Sequence, residues 1–300
     1  MSFRVIGIGE VLWDVLPSGP QLGGAPGNFA CHARQLGAVG QVVSRVGNDP
    51  YGRQALSRFA AMGLDVSLVQ VDEQLPTGTA IVALDATGTP HFTITPGVAW
   101  DAVTLTEAAL TAAREVSAIC FGTLAQRTPA AAAAIQQLVA ATPAAALRIF
   151  DINLRQGFYS RELLEQGLNL VNVLKLNDAE LAVLTPMFGL TGSVNERIVQ
   201  LARQFELRCV ALTRAENGSL LYQAGRWSEL PGRKFVVADT VGAGDAFTAG
   251  LAMGLLHQLP LDDVHRNAAD IANFVCSCPG ATPTLPPQLC AAFLENCKAA

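Results

Sequence analysis

Short runs rich in β-branched residues alternate along the chain with longer alanine- and leucine-rich stretches of helical period. The pattern predicts strands over 3–9, 41–46, 118–121, 148–152, 173–175, 209–213 and 220–222. Between them it predicts helices over 29–36, 52–62, 105–114, 129–140, 161–169, 178–184 and 195–205. A further apolar run at 235–238 reads as a strand, and 246–256 as a long apolar helix. Such alternation argues an α/β fold: a mostly parallel central sheet with helices on both faces. The alanine run at 130–134 fits a plain helix, given alanine's propensity.

Two regions break the rhythm. After the first strand, Leu12-Trp13-Asp14-Val15-Leu16 runs into a loop of Pro17, Ser18, Gly19 and Pro20, with no helix. Later, 79–84 and 91–95 read as strands joined through Asp85-Ala86-Thr87-Gly88, a hairpin signal. Paired with each other, these segments form a small β lid, from about 11–22 and 76–99, beside a single domain spanning 1–300.

Composition narrows the function by exclusion. A chain of 300 residues, half of them apolar, can bury a large core. Its net charge of −5 lays down no broad basic footprint, which argues against nucleic acid or an anionic membrane as partner. No apolar run is long enough to span a bilayer, and no signal peptide is apparent. The seven cysteines are scattered and lack a C-x-x-C, so reduced, buried thiols in a cytoplasmic protein are expected. The four histidines make no metal-ligand spacing.

The candidate chemistry centres on Asp239-Thr240-Val241-Gly242-Ala243-Gly244-Asp245-Ala246-Phe247. Glycines at a helix start let backbone amides approach a ligand, and the helix N-terminus adds unpaired N–H donors and a favourable dipole. That is an anion site, yet Asp245 would repel the anion. The conflict resolves if Asp245 is a base that deprotonates a nucleophile attacking the anion, as in phosphoryl transfer to an alcohol. Upstream, Leu22-Gly23-Gly24-Ala25-Pro26-Gly27-Asn28-Phe29-Ala30 precedes a predicted helix, with Asn28 placed to cap it.

Together these segments resemble the ribokinase-like (PfkB) carbohydrate kinase family. The resemblance spans essentially the whole chain, with Gly-Gly near the start, Asn-x-x-Glu in the middle and Gly-Ala-Gly-Asp near the end. It is strongest towards bacterial fructokinases, through Gly9-Glu10-Val11-Leu12-Trp13-Asp14, Gly122-Thr123-Leu124-Ala125-Gln126-Arg127 and Asp151-Ile152-Asn153-Leu154-Arg155. It implies a three-layer ribokinase-like fold and transfer of the γ-phosphoryl of ATP to a primary hydroxyl. Fructose, giving fructose 6-phosphate, is the leading substrate; 2-keto-3-deoxygluconate and ribose are alternatives, and an inactive sugar-binding protein is the alternative from another class.

The resemblance also assigns residues. It makes Asp245 the base, the amides around Gly242, Ala243 and Gly244 the anion hole, and Asp14, Gly24 and Asn28 the sugar contacts. Arg155 is implied to meet sugar or transferred phosphate. In Lys175-Leu176-Asn177-Asp178-Ala179-Glu180, Asn177 and Glu180 are implied to order Mg²⁺ through water, although Asn177 also reads as a helix cap. Thr213, Arg214 and Gly218 match a nucleotide loop in which Ala215 stands where glycine is usual. Asp239, with Val241 and Gly280, is implied to hold a monovalent cation such as K⁺. The segment 273–284, beginning at Asn273, is implied to close the adenine pocket. A homodimer paired through the lid is a further expectation.

Rival motifs fail. Gly7-x-Gly9 and Gly242-x-Gly244 lack the third glycine of a dinucleotide fingerprint, having Leu12 and Phe247 there, and no P-loop sequence is present.

Overall fold

The computed structural model describes residues 2–16, 19–84 and 90–299. Nine strands form the central sheet and four more form a separate small sheet. In chain order the first half contains β1 (Arg4–Ile8), β2 (Leu12–Leu16), β3 (Gly19–Gly23), α1 (Ala25–Gln35), β4 (Val39–Gly47), α2 (Pro50–Ala61), β5 (Val69–Asp72), β6 (Gly78–Leu84), β7 (Pro90–Ile94), α3 (Glu107–Arg114), β8 (Ala118–Phe121) and α4 (Pro129–Ala140). The second half contains β9 (Leu147–Asp151), α5 (Arg161–Leu170), β10 (Val173–Asn177), α6 (Asp178–Met187), α7 (Val194–Gln204), β11 (Cys209–Thr213), β12 (Ser219–Gln223), β13 (Arg226–Leu230), α8 (Ala243–Leu256), α9 (Leu261–Cys276) and α10 (Pro287–Ala299).

The large sheet runs β13-β12-β11-β10-β9-β8-β1-β4-β5. All pairings from β11 to β5 are parallel, and β12 and β13 add an antiparallel edge. Its strands read as continuous apolar runs because both faces are covered. Ile149 belongs to the core cluster shared with α1, α8, α9 and α10, while its neighbour Phe150 belongs to the cluster shared with α3 to α7. This is the three-layer ribokinase-like α/β arrangement. Helix starts follow their caps: Asp49, Thr106, Thr128 and Ser160 each accept an N–H from the first turn of α2, α3, α4 and α5.

The small sheet, ordered β3-β2-β6-β7, is built from the two regions expected to form a lid. Both its roots are fixed to the core. Trp13 on β2 is buried, donates from Nε1 to the Tyr51 carbonyl at 3.0 Å and stacks on the Tyr51 ring. After β7, Arg127 donates to the Thr95 carbonyl at 2.6 Å and to both oxygens of Asp101.

Several expectations need correction. Gly19 and Pro20 belong to β3 rather than to a loop, and the expected turn at 85–88 lies outside the described residues. The run 235–238 is not a strand: β13 already fills that sheet edge, and Val236 is 88% exposed. β5, β13, α9 and α10 were not apparent as elements. Asn273 falls in the last turn of α9, so the closing loop begins after Cys276. All seven cysteines are free, but only Cys31, Cys120 and Cys209 are buried.

Candidate functional site

Strand order reverses between β1 and β8, which open α/β sheets use as the ligand crevice beyond their carboxyl ends. Glu10 follows β1, Arg155 follows β9, and Asn177 and Thr213 end β10 and β11. The N-terminus of α8 faces the same crevice, since Asn28 Nδ2 of α1 donates to Asp245 Oδ2 at 2.8 Å. Residues 217 positions apart are thereby brought into one site.

Gly242 is the N-cap of α8, with φ of 76°. A side chain is also barred there, because a Cβ would lie 2.3 Å from the Ala281 carbonyl oxygen. The first intrahelical bond runs from Ala246 N to Gly242 O, leaving the Gly244 and Asp245 amides at the open end. Helix α8 therefore starts three residues earlier than expected, with Ala243 and Gly244 inside it. Burial pushes the Asp245 carboxyl up to about 6; Asp151 adds to the rise, while Asn28, Lys175 and Arg155 oppose it. Such a group is ionised at neutral pH yet close enough to accept a proton, as a general base requires.

On the opposite wall, Gly24 caps α1 at φ 115°, where a Cβ would lie 2.4 Å from the Glu10 carbonyl oxygen. Asn28 is consequently not the cap. It is buried in the helix body with its amide turned to Asp245, and Pro26 in the first turn starts the helix instead. Asp14 lies half-buried on β2; burial pushes it up to about 6, against the pull of Arg155. The Arg155 charge also opposes the rise at Glu10 and Asp245. It is exposed, in a turn flanked by Asn153 at φ 48° and Gln156 at φ 50°. Glu10 was not foreseen: it is buried, accepts from Ala25 N at 3.2 Å, and burial pushes it up to about 7.

The residues expected on the nucleotide side are less closely drawn together. Asn177 and Glu180 form a reciprocal capping box on α6. Glu180 accepts N–H groups from both Leu154 and Asn177, and burial raises its carboxyl while Lys175 lowers it. Thr213 reaches the Leu176 carbonyl at 3.5 Å, and Arg214 turns to Glu229 on β13 at 3.0 Å. Ala215 does adopt a positive φ, 45°, and Gly218 follows at 88°. Asp239 accepts from Val241 N and Gly280 N, tying the loop before α8 to the loop after α9.

No cluster of three or more His, Cys, Asp or Glu side chains suited to enclosing a metal occurs among the described residues. Magnesium that keeps its waters needs no such cluster. Glu180 fits an outer role: its two backbone donors occupy half of a carboxylate's roughly four lone-pair sites. Asp239 and the Val241 and Gly280 carbonyls are oxygen donors of the type a monovalent cation takes.

Three further groups were legible only as ordinary residues. Lys175 donates to Asp151 at 3.0 Å beneath the α8 N-terminus. His32 and Gln35, one and two turns after Asn28, contact the carbonyls of Ala281 and Pro283. Burial depresses His32 to about 4, so its ring is neutral. The only signal for these groups in sequence is a polar residue inside an apolar element.

Comparison with known proteins identifies the family. The pfkB family carbohydrate kinase profile matches residues 20–288. A fructokinase of Klebsiella pneumoniae is 30% identical over 284 residues, covering 91% of each chain. Among solved structures, a Xylella fastidiosa fructokinase with bound ATP superposes with a TM-score of 0.84 at 22% identity, covering all of both chains. A Vibrio cholerae O395 fructokinase holding fructose, ADP and a calcium ion has a TM-score of 0.81 at 25% identity, covering 98% of this chain and 99% of that one.

Proposed function

Because the chain belongs to the pfkB family of carbohydrate kinases, we propose that it transfers the γ-phosphoryl of ATP to a primary hydroxyl of fructose. The observation that carries this reading is the 2.8 Å bond from Asn28 to Asp245, which joins a hydroxyl-binding amide to an acid at a helix N-terminus. In this mechanism the sugar lies between lid and core, with Asp14, Gly24 and Asn28 on its hydroxyls. Asp245, ionised at neutral pH, accepts the proton of the attacking hydroxyl. The amides at 242–244 receive the charge of the transferring group, aided by Arg155. Asn177 and Glu180 would hold Mg²⁺ through water, and the ion would offset phosphate charge. Thr213, Arg214, Gly218 and Asn273 border the nucleotide; for Arg214 this requires leaving Glu229. Asp239, Val241 and Gly280 would hold a monovalent cation such as K⁺.

The fructokinase of Vibrio cholerae holds fructose and ADP together, which supports the choice of sugar. ADP release over a panel of fructose, 2-keto-3-deoxygluconate, ribose and nucleosides tests it. Fructose is expected to give the highest kcat/KM. A higher value for another sugar reassigns the substrate, and no release despite sugar binding replaces the kinase reading with a binding protein.

A further inference from the structure

The mechanism above leaves Lys175 and its partners unused, although they lie directly under the reacting centre. Lys175 on β10 is 6% exposed, Asp151 at the end of β9 is 3%, and Thr248 on α8 is fully buried. Lys175 Nζ donates to Asp151 Oδ1 at 3.0 Å. Thr248 Oγ1 lies 2.9 Å from Asp151 Oδ2 and 3.0 Å from the Gly244 carbonyl. The ammonium also abuts the anion hole: a Cβ added to Gly244 would sit 2.9 Å from Nζ. A buried ion pair is a weak source of stability, since an apolar pair of similar volume serves as well. Placement gives this one a different use.

Resting on the kinase reading, we propose that Lys175 is a positioning residue for phosphoryl transfer, its ammonium fixed by Asp151 and Thr248 so that full positive charge backs Gly244 and Asp245. Asp245 is faced by Asn28 from α1, Cys120 from β8, Asp151 from β9, Arg155 from the following turn, Lys175 from β10 and Glu10 after β1. Of these, Lys175 is the buried cation and Arg155 the exposed one. Lys175 abuts Gly244 directly, whereas Asp151 reaches it only through the Thr248 hydroxyl, so the positive member of the pair lies nearer the anion hole, in a setting that water does not screen.

The test compares Lys175→Met with Asp151→Asn/Lys175→Met in the full chain. Single-variant kcat at pH 7 is expected to fall about 10- to 100-fold, somewhat less than for loss of a direct oxyanion donor, with KM for sugar and ATP within about threefold. The Asp245 carboxyl, followed as the infrared band that Asp245→Asn removes, is expected to titrate about one pH unit higher in Lys175→Met. The double variant does not leave an Asp151 carboxylate buried without its cation, so its Tm is expected to recover while kcat stays at least about tenfold down. A double variant within about threefold of the original kcat, or an unmoved infrared titration, overturns the proposal. If no sugar gives turnover, the kinase reading fails, and the infrared titration still decides whether Lys175 acts on Asp245.

Discussion

Two neighbouring segments, 231–241 and 242–248, meet at the start of α8 and are built in opposite ways. The second is pinned from every side: Gly242 against Ala281, Asp245 to Asn28, and Thr248 to Asp151. The first runs without strand pairing, with Val236 88% and Val237 54% exposed, and it is tied down at its ends, by Arg233 to Asp270 and by Ala238 and Asp239 to the Cys276 carbonyl and Gly280 N. Groups that stabilise a transition state must be in place before it forms, because reorganising them during the reaction costs rate. A surface that takes up and releases a large ligand each cycle gains from having few internal bonds to break. On the proposed mechanism, the contrast separates a fixed reacting centre from an open approach.

The most damaging break falls in the fixed segment. Asp245→Asn is expected to lose about 10³-fold or more in kcat, at the upper part of the range for a general base. It should nonetheless gain stability at pH 7. The folded value near 6 lies above the ordinary 3.8, so ionisation disfavours the fold as pH rises through that window. The gain should fade as pH falls from about 6 towards 4 in paired thermal melts. A variant that keeps more than about a tenth of the activity removes Asp245 from the role of base.

A smaller effect is expected in the open segment. Val236→Asp places a charge on the exposed apolar run that leads into α8. Repulsion and lost apolar contact should raise KM for ATP about tenfold and change kcat less than threefold. Equal losses in kcat and kcat/KM would instead make this segment part of the reacting centre, erasing the contrast. The smallest effect belongs to Ala215→Gly, which relieves a left-handed alanine at φ 45° and should add about 0.5 kcal/mol of stability in denaturant titration. A loss of stability would mean that the loop draws more from the alanine side chain than from backbone ease.

The same contrast explains what the sequence discloses. Asp245, Gly242 and Gly24 stand out because backbone geometry and charge restrict those positions to few residue types, whereas Asn28 reads as a cap that the structure gives to Gly24. The alternation of apolar runs discloses most of the parallel strands for the same reason, since burial on both faces favours apolar residues at nearly every position. The run 235–238 misleads because composition alone cannot say whether a partner strand is available. Helix α9 carries a clear signal, with Leu261, Val264, Ala268, Ile271 and Val275 at intervals of three and four, all buried. Its polar Asn273 suggests a loop only when that spacing is ignored. Lys175 and Asp151 escape because each is an unremarkable charged residue until the parallel pairing of β9 and β10 places them side by side, in register as direct partners.

The bond between Asn28 and Asp245 also bears on how the chain acquires activity. It joins positions 217 residues apart, so no N-terminal fragment that ends before α8 can contain the base. During synthesis, β1, α1 and the small sheet emerge long before the helix that completes their ligand site. Such long-range closure belongs to the slow part of folding. A refolding chain should regain most of its helical signal before it first turns over substrate, and that lag would time the arrival of α8 against α1.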